Sequence, residues 1–349
     1  MTLEPFTVPA KFYEPHSSGK IRCVLCPMHC LIGEGKDGFC GTRRVRNGKL
    51  EAVNWGLVVS ASIDPIEKKP LYHFHPGSGV LSFGAIGCNM ACLHCQNSSI
   101  SAPRITRMAG RFASEHTWQP EEVVKSAIDR KADGIAFTYN EPTIWFEWAQ
   151  KASELAKEKG LYTVFVTNAY IEAKPLTEIA PVVDAYSADL KGWGSDFYLK
   201  FSKAPRWEKI LEAISRAKNE FGMHVEVTTN VVPGWNDDDN SLTSIAKWLF
   251  ENLGPLTPWH LSRFMPHHKL AHLEPTPVST LLKARKIGID AGLKYVFLGN
   301  VHGLGGVEDT KCPKCGKILV KRSGYMTEVI GLDGDKCASC NSETGIVIR

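Results

Sequence analysis

The chain has 349 residues, 43% of them hydrophobic and 22% charged, with a formal net charge of +4 and a sequence pI near 8.4. That length allows one large domain with appendages, and that balance is ordinary for a soluble globular protein. The positive charge is too small to argue for nucleic acid as the main ligand, and no apolar run approaches the length of a membrane span.

The start, MTLEPFTVPAKFYEP, has no apolar core behind a basic stretch, so no signal peptide is expected and a cytoplasmic location is the default. Residues 1 to 20 are Pro-rich and polar and are expected to be an irregular lead-in. Residues 21 to 48 carry Cys23, Cys26, Cys30 and Cys40 among Gly33, Gly35, Gly38 and Gly41, glycines that let a backbone turn tightly around a metal. Four thiolates with no spare position suit structural zinc first, with an auxiliary iron–sulfur cluster as the competitor. Arg43, Arg44 and Arg46 read as a solvated basic turn. Residues 50 to 79 read as a fixed loop leading into the core, and its charged residues, including Asp64 and Glu67, as surface salt bridges.

From about residue 80 strands and helices alternate. Strands are expected over 80–86, 134–139, 162–167, 182–190, 224–232, 259–264 and 295–298. Helical stripes fall at Val123, Val124 and Ala127 behind Pro120, at Trp145, Trp148 and Ala152, at Ile210 and Ile214, at Leu242, Ile245 and Leu249, and over 281–291. Such alternation implies a parallel sheet wrapped by helices, an α/β fold. About six units are too few for a closed eight-unit barrel, so an open, partial barrel of the TIM type is expected. The Gly-rich stretch from Gly299 to Gly306 lacks a phosphate-loop ending and reads as an exit loop. Beyond it, Cys312, Cys315, Cys337 and Cys340 form two C-x2-C pairs, a zinc-ribbon signature on a tail too small for a core of its own. The organisation expected is therefore a four-cysteine segment and lead-in over 1–79, the partial barrel over 80–300 and the zinc-ribbon-like tail over 301–349.

All 11 cysteines fall in clusters of four, three and four, which reads as three metal sites rather than a disulfide framework. The middle cluster, Cys88, Cys92 and Cys95, stands directly after the first barrel strand, spaced C-x3-C-x2-C. Three thiolates can hold three irons of a cubane cluster and leave the fourth without a protein ligand, and an open metal position suits catalysis. The competing arrangement, a zinc knot completed by His94, places adjacent residues awkwardly on one ion.

C-x3-C-x2-C followed by Gln96-Asn97 resembles the cluster loop of radical S-adenosylmethionine (SAM) enzymes, in the branch of the pyruvate formate-lyase activating enzymes. With that loop, the stretch from Asp64 to Phe74 resembles the AmmeMemoRadiSam subfamily, and the match extends over nearly the whole chain. The resemblance implies a partial barrel, a [4Fe-4S] cluster on Cys88, Cys92 and Cys95, and SAM cleaved to a 5′-deoxyadenosyl radical that abstracts hydrogen. Thr138-Tyr139-Asn140-Glu141-Pro142 takes the place of the Gly-Gly-Glu-Pro motif that holds the methionine amino group, with Tyr139 and Asn140 in place of both glycines. Asn168, Asp189, Lys191 and His268 match SAM-pocket segments, as does the Pro233-Gly234-Trp235 run. A protein substrate and an electron donor such as a flavodoxin or ferredoxin follow from the same resemblance. Radical modification of a small molecule or of another partner side chain is the alternative, and a non-enzymatic zinc-bearing nucleic-acid module ranks last. The activases carry Asp-Gly-Pro-Gly upstream of the loop, where this chain has His75-Pro76-Gly77-Ser78.

Overall fold

The computed structural model describes residues 6–102, 117–301 and 304–348. Its centre is one sheet of eight strands whose order in space is their order in sequence. They are β1 (Ser60–Pro65), β2 (Gly79–Gly84), β3 (Gly134–Phe137), β4 (Tyr162–Thr167), β5 (Ala185–Asp189), β6 (His224–Val231), β7 (Trp259–Arg263) and β8 (Val296–Gly299). From β2 to β8 every pairing is parallel, and β1 closes one edge antiparallel to β2, with Asp64 opposite Val80. β1 and β8 are the two edges, so the barrel is open. The β3 strand is buried at all four positions, and β4 at five of six, because helices cover the outer face.

The crossover helices follow the apolar stripes. The Pro120–Asp129 helix starts with a proline, and the Glu122 carboxylate accepts the Gln119 N–H at 2.7 Å. The Asp239–Leu253 helix is capped by Asp238, which accepts the Ser241 N–H at 2.9 Å. Two short helices, Ala173–Ile179 and Ser195–Phe201, have too few turns to show a period in sequence.

The amino-terminal third is more ordered and more buried than the sequence suggests. The lead-in contributes strands Val8–Pro9 and Tyr13–Pro15. Arg43–Arg46 is a strand rather than a solvated turn, and Arg43, 1% exposed, forms a bidentate pair with Glu147 at 2.6 and 2.8 Å. Residues 50 to 79 hold β1 rather than only a loop, and Asp64, Glu67 and Lys69 are buried instead of lying on the surface. Asp64 accepts from Lys68 Nζ (2.7 Å), Lys69 Nζ (2.6 Å) and the Tyr139 hydroxyl (2.8 Å).

The carboxyl-terminal tail packs at the amino ends of the strands. Residues 310–329 form a three-stranded sheet and 332–337 a two-stranded one. Arg322 is buried with its guanidinium 4.4 Å from the Tyr72 ring centroid and bonded to the Tyr72 carbonyl. The fully buried Glu226 of β6 accepts from the Tyr72 and His73 amides and lies within 3.0 Å of His224 and 2.6 Å of His260. His73 Nε2 in turn lies 3.2 Å from the Thr310 hydroxyl, so this segment ties tail to barrel. His302 and Gly303, in the Gly-rich exit loop, lie outside the described residues.

Candidate active site

The carboxyl ends of the parallel strands form the opposite face, where barrels of this kind build their sites. The cysteine loop leaves β2 through Gly87, whose φ is +93°. A Cβ there would stand 2.4 Å from the Cys40 carbonyl oxygen, so only glycine permits this close approach. Asn140, just past β3, fixes the loop entry: its Nδ2 donates to the Gly87 carbonyl (2.8 Å) and its Oδ1 accepts the Ala85 N–H (3.2 Å). Asn97 Nδ2 donates to the Tyr139 carbonyl at 2.5 Å, and Tyr139 has a φ of +71°. The middle of the loop runs beside the Ser195–Phe201 helix end, with the Ala91 N–H on the Ser202 carbonyl (2.8 Å) and the Leu93 N–H on the Phe201 carbonyl (3.0 Å).

Cys88, Cys92 and Cys95 are all partly exposed on this face. Around Cys88 the structure places a polar chain: Asn168 Nδ2 lies 3.8 Å from its sulfur and donates to Asn89 Oδ1 at 2.9 Å, and Asn89 Nδ2 donates to the Tyr170 carbonyl at 2.8 Å. Behind Asn168, Glu141 is fully buried and accepts from the Thr143 N–H (2.9 Å), the Thr167 hydroxyl (2.7 Å) and the Asn168 N–H (2.8 Å). Burial raises its pKa, and those donors pull the other way. Its carboxylate therefore braces the ends of β3 and β4 from inside the wall.

Around Cys92 the partners are Ser202, with its hydroxyl 3.4 Å from the sulfur, and Lys191. Burial works against the charged Lys191, but Asp189, 2.7 Å away, and Cys92 hold its pKa above the ordinary value. The Lys191 N–H donates to the Tyr198 hydroxyl (3.1 Å), and its carbonyl accepts from the buried Asn236 (2.6 Å). Burial, and then Glu141, push the Cys88 thiol up, so ligation as a thiolate would release a proton. His268 sits exposed in a short turn past β7, and the next residue's N–H donates to the Leu93 carbonyl at 3.0 Å, which puts His268 beside the cysteine loop.

The sequence motifs therefore meet at one rim. What sequence reasoning missed are residues that hold them: Ser202 and Tyr198, with no local signal, and the supporting roles of Asn89, inside the cysteine loop, and Asn236, next to the Pro233-Gly234-Trp235 run. His94 packs its ring 4.7 Å from that of Phe201, on the side of the loop facing the helix.

The other cysteines lie elsewhere. The sulfurs of Cys312, Cys315, Cys337 and Cys340 all stand within 4.8 Å of one another, with Cys312–Cys340 at 3.6 Å and Cys315–Cys337 at 3.7 Å, at the amino-end side of the barrel. Cys23, Cys26, Cys30 and Cys40 line a cavity next to the active face.

Residues 85–243 match the family model described as the Radical SAM superfamily. An uncharacterised protein of Methanocaldococcus jannaschii is 45% identical over 97% of this chain and 99% of its own. The pyruvate formate-lyase 1-activating enzyme of Escherichia coli is 22% identical over 56% of this chain and 76% of its own. Among solved structures, a radical SAM methyltransferase from Sphaerobacter thermophilus is 16% identical, covering 70% of this chain and 71% of that one with a TM-score of 0.49. The matched span opens at Ala85, directly after β2 and just ahead of the cysteine loop, and residues 85–243 carry a radical SAM domain.

Proposed function

We propose that this protein is a radical SAM enzyme of the AmmeMemoRadiSam type, with Cys88, Cys92 and Cys95 as the ligands of its [4Fe-4S] cluster. The observation that carries the reading is the placement of three cysteines on one loop at the open end of a parallel barrel. The donor set fits such a cluster: soft sulfur ligands on one loop, outside the tight four-sulfur arrangement of the tail, with one corner left to SAM. When bound, the cluster would supply the one electron that splits the sulfonium of SAM into methionine and a 5′-deoxyadenosyl radical, which takes hydrogen from the substrate.

The chain's own residues position and shield. Lys191, charged and held by Asp189, would offset the negative charge of the thiolates and could pair with the carboxylate of SAM. Asn168 and Asn140 fix the cysteine loop from two neighbouring strand ends. Glu141 braces the strand ends beside which the methionine amino group would bind, and His268, exposed beside the cysteine loop, would be available to SAM. Zinc fits the tail: with metal–sulfur bonds of about 2.3 Å, a tetrahedral site sets its sulfurs about 3.8 Å apart, close to the 3.6 and 3.7 Å seen there. The donor is a low-potential one-electron protein such as a flavodoxin or ferredoxin, and the enzyme works in the cytoplasm.

The substrate proposed is a protein, by likeness to the activating enzymes. One observation favours the second reading, a small molecule or a different side chain. The His75–Ser78 region that replaces the activases' motif packs at the amino ends of the strands, with Ser78 Oγ 2.8 Å from the Tyr162 hydroxyl and His75 stacked on that ring. Anaerobic reconstitution with iron, sulfide, SAM and dithionite tests the chemistry: 5′-deoxyadenosine and methionine are expected, and their undiminished formation by Cys92→Ala would overturn it. A glycyl radical signal on a candidate partner would favour the protein substrate, and an altered metabolite with unchanged proteins the small one.

A further inference from the structure

The four amino-terminal cysteines are chemically equivalent in sequence to the four of the tail, yet the fold treats the two sets differently. In the tail the sulfurs are drawn together within 4.8 Å, and among the described residues this is the group gathered that tightly. Cys23, Cys26, Cys30 and Cys40 instead surround a cavity and are not gathered within that distance. One tetrahedral ion does not account for that spread, because sulfurs about 2.3 Å from its centre stand about 3.8 Å from one another. A cubane core does, since each thiolate binds a separate corner iron and the sulfurs stand apart by the width of the core.

The surroundings fit the same group. Leu25, Ile32 and Ile144 line the cavity with apolar surface, and polar groups reach two of its sulfurs. The Phe39 N–H donates to Cys30 Sγ at 3.3 Å, and the Thr42 hydroxyl, which donates to the Ile144 carbonyl, lies 3.2 Å from Cys40 Sγ. Such bonds to sulfur and a dry shell are the levers that set cluster potentials. Arg43, whose guanidinium is paired with Glu147, also lines the cavity.

Position assigns a role. The cavity wall includes Asn89, the residue next to Cys88, whose Oδ1 lies 3.9 Å from Cys88 Sγ. The Cys40 backbone abuts Gly87 of the same loop. We propose that Cys23, Cys26, Cys30 and Cys40 bind a second [4Fe-4S] cluster, one residue layer from the radical loop, and that the two clusters exchange single electrons. Four protein ligands leave no open iron, so this cluster neither binds SAM nor bonds substrate; it accepts an electron from a flavodoxin- or ferredoxin-class donor and passes it on, with no bond made or broken. The exchange rests on the radical-cluster reading of Cys88, Cys92 and Cys95; the occupancy of the second site does not.

The test separates the two. The full chain carrying Cys88→Ala, Cys92→Ala and Cys95→Ala together, reconstituted anaerobically, is expected to retain about four irons, with the broad visible absorption of a cluster and no SAM cleavage. Its tail zinc serves as an internal control for folding. Two zincs and no iron in that variant would overturn the second cluster. In the unsubstituted protein, full reduction is expected to give a broadened, spin-coupled electron paramagnetic resonance signal that Cys26→Ala with Cys30→Ala converts to that of one isolated cluster. Two independent, uncoupled signals in the unsubstituted protein would overturn the exchange, whatever the outcome for SAM cleavage.

Discussion

Asn168 donates from Nδ2 to Asn89 Oδ1 at 2.9 Å, joining the end of β4 to the residue beside Cys88. Both amides are buried, and each makes a second bond that fixes its orientation: Asn89 to the Tyr170 carbonyl, and Asn168 Oδ1 from the Tyr170 N–H. The pair sets where the Cys88 sulfur stands without itself holding a metal.

Asn168→Ala should therefore remove the amide donor on Asn89 Oδ1 and loosen Cys88. Losing an oriented neighbour of a metal ligand typically costs 10- to 100-fold in metal affinity or activity. About a tenfold fall in 5′-deoxyadenosine formation is expected, with unchanged far-ultraviolet dichroism. Iron content measured alongside tells ligand orientation from a folding defect.

Glu226 is the structural counterpart at the other end of the barrel. Burial opposes its charge, but His224 and His260 hold its pKa well below the ordinary range. Glu226→Gln puts an amide N–H₂ against the Tyr72 and His73 N–H groups and breaks a buried network, a change that costs about 3–5 kcal/mol. A drop in the chemical-denaturation midpoint is expected, with near-normal SAM cleavage in the cold, because the site lies at the opposite face.

Acid should unfold the protein partly through His73. Burial holds its pKa down at about 3, against an ordinary 6.5. The unfolded chain therefore takes a proton near pH 6.5 while the folded one does not until about pH 3. Stability present above pH 6.5 is lost as pH falls through that window, by up to about 1.4 kcal/mol per unit for this group. Denaturation series between pH 7 and 5 on the metal-loaded protein should show this slope, and His73→Asn should flatten it.

Removing the tail metal should be local. Cys337→Ser breaks the tail's four-sulfur group, and a small domain that depends on its metal loses its fold with it. Protease cleavage within 310–348 and loss of about one zinc per chain are expected, while SAM cleavage persists. Concurrent loss of the radical cluster would contradict the separation of the two ends.

Spacing along the chain was enough to sort the cysteines into three groups, because residues two or three apart fall on one loop. The apolar runs and helical stripes likewise sufficed for an open parallel barrel and for the rim that carries Glu141, Asn168 and Lys191, since strand and helix periods are local properties. Burial was not legible. Asp64 and Arg43 read as surface charges, and each is buried against a partner far away in sequence, Tyr139 and Glu147. Nothing local marks Ser202 as the neighbour of Cys92, for the two are 110 residues apart. Packing also decided which four-cysteine set stands beside the radical loop and how far apart its sulfurs lie, because those distances follow from how segments dock, and the spacing of a motif does not contain them.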